Sequence, residues 1–204
     1  MFITLEGIDR SGKTTQARLL ADAIGAVLLR EPGGTGAGER IRELLADPRV
    51  ELDPVSELLL FGAARAELVR REIRPALEAG RDVVCDRFTD STLAYQGAGR
   101  GLGTETVQEL NRIATGGLAP DLTVLLRLDP EPAAEREGGG KDRFEREGLE
   151  LQRAVAAAYD EIAHREPERV AVVDAARDID AVHADVLSAV ERARRMTGLP
   201  EPRR

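Results

Sequence analysis

Nine residues near the N-terminus carry the densest chemistry in the chain: Gly7-Ile8-Asp9-Arg10-Ser11-Gly12-Lys13-Thr14-Thr15. They satisfy the phosphate-loop pattern G-x-x-x-x-G-K-[ST] at every fixed position. Two glycines at this spacing let the backbone wrap a phosphate, and the N–H groups of the loop and of the next helical turn point inward. Lys13 reaches the β/γ oxygens of a nucleoside triphosphate as a compact charge, and the Thr14 hydroxyl is placed to bind Mg²⁺. The pattern has meaning only between a strand and a helix. Phe2-Ile3-Thr4-Leu5-Glu6 supplies the strand, and the helix runs on through Gln16-Ala17-Arg18-Leu19-Leu20.

Other reactive side chains stand where further apolar runs end: Glu31, Asp86-Arg87, Asp129 and Asp174. At that edge of an open α/β sheet, polar residues are placed to bind ligands. There Asp86 could hold Mg²⁺ through water and Arg87 could grip a phosphate with two parallel hydrogen bonds. A structural ion pair at a strand end is the plainer alternative for the two. His164 and His183 fall in predicted helices away from these motifs and read as solvated surface residues. Cys85, inside an apolar strand, reads as a small buried hydrophobe. No side chain stands out as a general base.

The elements that must position these groups alternate. Residues 26–30, 82–86, 122–128 and 170–174 read as buried strands after the first. Helices are expected over 37–46, from Asp53-Pro54 (an N-cap with proline at N1) toward Gly80 with a kink or break at Pro75, over 88–96, 104–115, up to Arg136, 144–165 and 178–195. Gly97, Gly99, Gly101 and Gly103 mark a loop, and residues 198–204 a frayed, disordered tail. Near-continuously apolar strands alternating with helices predict an α/β fold: a five-stranded parallel sheet with helices on both faces, of the P-loop NTPase type.

With 204 residues, 42% of them hydrophobic, the chain is expected to form a single domain, residues 1–204, with a sizeable core. No apolar run approaches the ~20 residues that span a bilayer, and no basic-then-apolar signal opens the chain. One cysteine excludes an internal disulfide framework and points to a reducing cytoplasm. A net charge of −8 argues against nucleic acid or an anionic membrane as partner. A phosphate-binding protein with that balance must concentrate positive charge locally. The chain carries 27 arginines but only two lysines, Lys13 and Lys141. A general preference for arginine accounts for the bias, yet a guanidinium does not replace a compact ammonium in a tight loop.

Taken in order, Gly7-x-Asp9-Arg10-x-Gly12-Lys13-Thr14-Thr15, Arg30-Glu31-Pro32-Gly33-Gly34-Thr35, Leu60-Phe61-Gly62-Ala63-Ala64-Arg65 and Asp86-Arg87-Phe88 with Ser91-Thr92-Leu93-Ala94-Tyr95-Gln96-Gly97 resemble the thymidylate kinase family. The resemblance runs from residue 3 to about 147 and weakens beyond. It implies phosphorylation of dTMP to dTDP with ATP and Mg²⁺, usually by a homodimer.

Roles follow from that resemblance residue by residue. Gly7 to Thr15 would hold the ATP phosphates, with Thr14 and Asp86 at the metal. Phe61 matches the phenylalanine that stacks on thymine, and Arg65 the arginine that hydrogen-bonds the base. They are i and i+4, so a helix puts them on one face; without the resemblance Phe61 simply continues the Leu58-Leu59-Leu60 run of a core. Arg87 matches the residue on the acceptor phosphate, Asp9 an acid facing the sugar and phosphate, and Thr92 a contact to the pyrimidine edge. Tyr95 matches the aromatic that crowds the ribose 2′ position. Glu31, Ser91 and Gln96 enter the substrate site as members of the same motifs, and Glu31-Pro32 resembles a segment with a cis proline.

Arg136 resembles the arginine that packs on adenine, although any arginine at a helix end would look the same. Family members draw an extra arginine for the transferred group either from the P-loop or from a flexible lid. Arg10 resembles the first type. The expected lid, about residues 137–147, is glycine-rich and still basic. Lys141 and Arg143 would support catalysis from it, although Lys141 reads equally as a solvated residue on a mobile loop.

The chemistry agrees independently. A phosphate monoester has its second pKa near ~6, so at pH 7 the attacking oxygen is already largely deprotonated and no base is required. A deoxynucleoside kinase, the nearest rival, would need a carboxylate base, for which only Asp9 is available. A nucleotide-binding switch or assembly ATPase would have no use for the pyrimidine pocket.

Overall fold

The computed structural model describes residues 1–136 and 148–198. Each apolar run becomes a strand: β1 (Phe2–Glu6), β2 (Val27–Arg30), β3 (Val83–Asp86), β4 (Leu122–Arg127) and β5 (Val170–Asp174). They form one parallel sheet in the order β2-β3-β1-β4-β5. Burial follows position. β1 and β3 are buried along their whole length, whereas the edge strands β2 and β5 are only partly covered. β1 divides its side chains between two cores, with Ile3 and Leu5 in one and Phe2 in the other. Register sets Leu5 beside Asp86 on one side and Val124 on the other, so the ends of β1, β3 and β4 converge.

The helices are α1 (Lys13–Ile24), α2 (Gly36–Ala46), α3 (Pro54–Leu68), α4 (Arg74–Glu78), α5 (Thr89–Thr92), α6 (Thr104–Thr115), α7 (Pro130–Glu135), α8 (Leu149–Arg165) and α9 (Ile179–Thr197). Asp53 caps α3 as expected, accepting from the amides of Val55 and Ser56, and Asp178 caps α9 from Ala181. No helix among the described residues is long and apolar enough to cross a membrane.

Several boundaries differ from the sequence reading. The helix from Pro54 does not break at Pro75. A π-helical turn, Val69–Ile73, intervenes first, and Pro75 sits in the opening turn of α4. Proline lacks an N–H and its ring excludes the carbonyl four residues back, so the wider turn upstream accommodates it. The glycine loop also starts later than expected. A second π segment, Leu93–Gly99, carries Gly97 and Gly99 inside helix. A Cβ on Gly99 would lie 2.6 Å from Leu151 Cδ1, so this glycine lets α8 approach rather than marking a turn. His164 is exposed, but His183 is half-buried with a covered Nδ1 that has no partner, which corrects its reading as a solvated residue. Cys85 is fully buried, as expected. The expected lid and the tail beyond residue 198 lie outside the described residues.

Candidate active site

The turn between β1 and α1 is built by positive φ angles. Gly12, at φ 94°, caps α1 in the left-handed region, and no atom would obstruct a Cβ there. Gly7 is a glycine for another reason. A Cβ at Gly7 would meet the Leu126 carbonyl oxygen at 2.6 Å, so the loop's first glycine lets β1 close onto β4. Arg10 also sits at positive φ, 63°, which costs strain for a side-chain residue. Lys13 folds into the loop, donating to the Ile8 carbonyl at 2.6 Å, and burial pulls its ammonium down to about 8. The Thr14 hydroxyl donates to Asp86 Oδ2 at 2.5 Å, bringing the two expected metal ligands together. The other oxygen, Asp86 Oδ1, is buried without a partner.

Arg87, another positive-φ residue (71°), closes β3. Its Nη2 pairs with Asp9 Oδ1 at 2.5 Å and reaches the Tyr95 hydroxyl at 3.3 Å, while its guanidinium carbon lies 5.0 Å from the Tyr95 ring centre. Nη1 donates to the Gly7 carbonyl and to Ser91 Oγ. Burial pushes the Asp9 carboxyl up, but the charges of Arg87 and Lys13 and the Gln152 amide outweigh it, so the group stays low and ionised.

Arg65 on α3 is 1% exposed and saturated. Nε and Nη2 bond Glu31, Nη1 bonds Thr92 and Asn111, and Nη2 also donates to the Phe88 carbonyl. Four hydrogen bonds and the ion pair with Glu31 thus tie every guanidinium nitrogen to the protein. Glu31 keeps one buried oxygen unpartnered, and burial raises its pKa against the opposing charge of Arg65. Gln96 is held on Glu57 at 2.8 Å. The Glu31–Pro32 bond is cis.

These groups face one cleft of about 790 Å³. It brings together Asp9, Arg10, Lys13, Thr14, Glu31, Phe61, Arg65, Asp86, Arg87, Ser91, Thr92, Tyr95 and Gln96. Seven cationic side chains line it against three carboxylates, the local positive charge that a phosphate site in an acidic protein requires.

A thymidylate kinase family model matches residues 5–186. The thymidylate kinase of Deinococcus radiodurans is 48% identical over 197 residues, covering 93% of this chain and 96% of the relative. That of Pelotomaculum thermopropionicum is 49% identical over 199 residues, with 93% and 92% covered. The crystal structure of thymidylate kinase from Ehrlichia chaffeensis superposes with a TM-score of 0.80 at 37% identity, covering 94% of this chain and 98% of that one. The chain belongs to the thymidylate kinase family.

Not every residue expected of a thymidylate kinase lies on the cleft. Gly7, Ile8, Ser11, Gly12 and Thr15 shape the loop and helix start without lining it. Arg136 donates to the carbonyls of Arg10 and Ala175 and lies off the cleft. Arg10 is exposed, with Nη1 on the Ala134 carbonyl at 3.0 Å. Lys141 and Arg143 lie outside the described residues. Sequence reasoning missed Arg18, Arg30 and Arg42 on the cleft wall. Arg30 had a signal, since it opens the Arg30–Thr35 motif, whereas Arg18 and Arg42 look like any helix-surface arginine. Gln152 gave none. It reaches Asp9 from α8, 143 positions away.

Proposed function

We propose that the protein transfers the γ-phosphoryl group of ATP to dTMP, giving dTDP. One observation carries this reading: Lys13 and Thr14 of the phosphate loop share a single cleft with Arg87 and with the side chains Phe61, Arg65 and Tyr95. A donor and an acceptor bound there would be held for in-line transfer, so catalysis reduces to alignment and charge neutralisation.

The residues divide that task. Lys13 would leave the Ile8 carbonyl for the β/γ oxygens. Arg87, steadied by Asp9 and Tyr95, presents a cation to the acceptor phosphate, whose oxygen is already largely deprotonated at pH 7. Phe61 would stack on thymine. Because Arg65 is saturated by protein partners, its bond to the base would require exchanging one of them. Thr92 is likewise committed, donating to the Thr89 carbonyl. Tyr95, 9% exposed and on the cleft, would crowd a ribose 2′-hydroxyl. Arg10 would swing from Ala134 toward the transferred group, with Lys141 and Arg143 as supporting cations.

Mg²⁺ fits this site. The Thr14 hydroxyl and the partnerless Asp86 Oδ1 are oxygen donors beside the phosphate loop, the sparse protein share that Mg²⁺ takes when phosphates and water complete its shell. Bound there, the ion would neutralise charge on the β- and γ-phosphates. A homodimer is supported by adjoining helices that expose apolar side chains: Leu44 on α2, Val55 and Leu59 on α3, and Ile113 on α6. The single buried cysteine and the acidic balance suit a cytoplasmic enzyme acting on small molecules.

Assaying nucleosides and nucleoside monophosphates with ATP and Mg²⁺ tests the reading. The expected order is dTMP, then dUMP, then UMP far behind. Phosphorylation of thymidine in place of dTMP would instead indicate a deoxynucleoside kinase. ATP turnover that no monophosphate stimulates would indicate a switch or assembly ATPase.

A further inference from the structure

Beneath Arg87 lies a buried polar cluster centred on Glu6, a residue that the reaction so far leaves unused. Glu6, the last residue of β1, is 0% exposed. Its Oε1 accepts the backbone N–H of Phe88 at 2.7 Å. Its Oε2 accepts from Ser91 Oγ at 2.6 Å and from the Tyr159 hydroxyl at 2.8 Å. Burial and the charge of Asp90 push the Glu6 carboxyl up to about 7, and the hydrogen bonds from Ser91 and Tyr159 with the charge of Arg87 pull against that rise.

We propose that Glu6 is a positioning residue for the acceptor phosphate, setting the guanidinium of Arg87 through the Ser91 hydroxyl and the Phe88 amide. Ser91 Oγ donates its one proton to Glu6, which leaves its lone pairs to accept: Arg87 Nη1 donates to it at 3.2 Å, and the Tyr159 hydroxyl lies 3.0 Å away. The chain of donation runs guanidinium to hydroxyl to carboxylate. The second anchor acts on the backbone. Arg87 holds φ at 71°, a conformation that persists only where neighbours enforce it, and Glu6 clamps the amide immediately after it. Asp9 and Tyr95 hold the guanidinium on the cleft side, and the Glu6 cluster holds it from behind. With both restraints the cation is aimed before any phosphate arrives, so little ordering cost falls on binding.

This inference rests on Arg87 as the acceptor-phosphate contact, and the experiment separates the two. Glu6→Gln keeps the side-chain length and an oxygen for the Phe88 amide, but puts an NH₂ where Ser91 and Tyr159 donate. Ser91→Ala cuts the link to Arg87 directly and carries the test if Glu6→Gln fails to fold. Steady-state kinetics should show KM for dTMP raised about tenfold in each, roughly the loss of one hydrogen bond to a charged group, with KM for ATP and kcat within about twofold. The double variant should be no worse than either single one, because both break one linkage. Arg87→Ala should raise KM for dTMP further. If Arg87→Ala raises KM for dTMP while the Glu6 and Ser91 variants leave it unchanged, or shift both Michaelis constants alike, Glu6 merely supports the fold and the inference fails. Multiplicative effects in the double variant would also overturn it. An unchanged KM for dTMP in Arg87→Ala would remove Arg87 from the acceptor site, and this inference with it.

Discussion

The two ends of the cleft proposed for donor and acceptor are finished to different degrees. At the donor end, groups are provisionally housed. Lys13 rests on a carbonyl of its own loop, Asp86 Oδ1 has no partner, and Arg10 lies on the surface against Ala134. At the acceptor wall every guanidinium nitrogen of Arg65 is bonded, Gln96 is held by Glu57, and Thr92 is shared among Arg65, Asn111 and the Thr89 carbonyl. Triphosphate and metal bring strong charge of their own and can displace weak internal contacts. A pyrimidine brings only a few neutral hydrogen bonds, so its wall has to be rigid beforehand. With the proposed roles, ligand would complete the donor end, whereas the protein itself supplies most of the acceptor wall, Glu31 Oε1 being its one buried unpartnered oxygen among the described residues.

The sharpest test of that contrast is stability. Arg65→Ala strands the buried Glu31 carboxylate and takes one hydrogen bond from Asn111, and should cost about 3–5 kcal/mol in urea unfolding. A loss below about 1 kcal/mol would mean that the acceptor wall is no more rigid than the donor loop. Lys13→Ala should do the opposite. It should lower kcat by about 10²–10³, as removal of a transition-state donor commonly does, while leaving the unfolding midpoint nearly unchanged. A folded variant with normal turnover would remove the phosphate loop from the mechanism.

Tyr95→Ala probes the acceptor wall more gently. The preference for deoxy over ribo acceptors, read as the kcat/KM ratio of dUMP to UMP, should narrow by about tenfold, the scale of a lost steric contact in a pocket. Equal losses for both substrates would make Tyr95 a packing residue only. The smallest effect expected is on pH dependence. Burial has brought the Lys13 ammonium down to about 8, with the charge of Arg87 adding to the shift, so the free enzyme loses that charge as pH rises through about 8. kcat/KM for ATP should therefore be flat below that point and decline above it, since this parameter reports the free enzyme. A profile flat to pH 10 would mean that Lys13 is no longer housed as the structure has it.

Much of this enzyme was legible in one dimension because its signals are local. A phosphate loop needs its glycines and lysine at set offsets within a single turn, and apolar runs of four to six residues between helices can only be strands of a buried sheet. Phe61 and Arg65 sharing a face follows from helical spacing alone. Where local rules compete, the reading slipped. Gly97 and Gly99 look like a loop until α6 is laid against the first and α8 against the second, and Pro75 looks like the break until the π turn before it absorbs the strain.

The strand order β2-β3-β1-β4-β5 and everything that depends on it belong to the tertiary structure. Only when β1 is inserted between β3 and β4 does Glu6 meet Phe88 and Ser91, Thr14 meet Asp86, and Gly7 have to be a glycine against Leu126. Gln152 and Tyr159 join the site from the far end of the chain. The residue types and spacings by themselves determined the chemistry available: a cradle for phosphate and the cations to neutralise it. Which carboxylate faces water, which is buried, and which arginine is already saturated were decided by packing, because burial and partners are properties of neighbours that lie from 23 to 153 positions away.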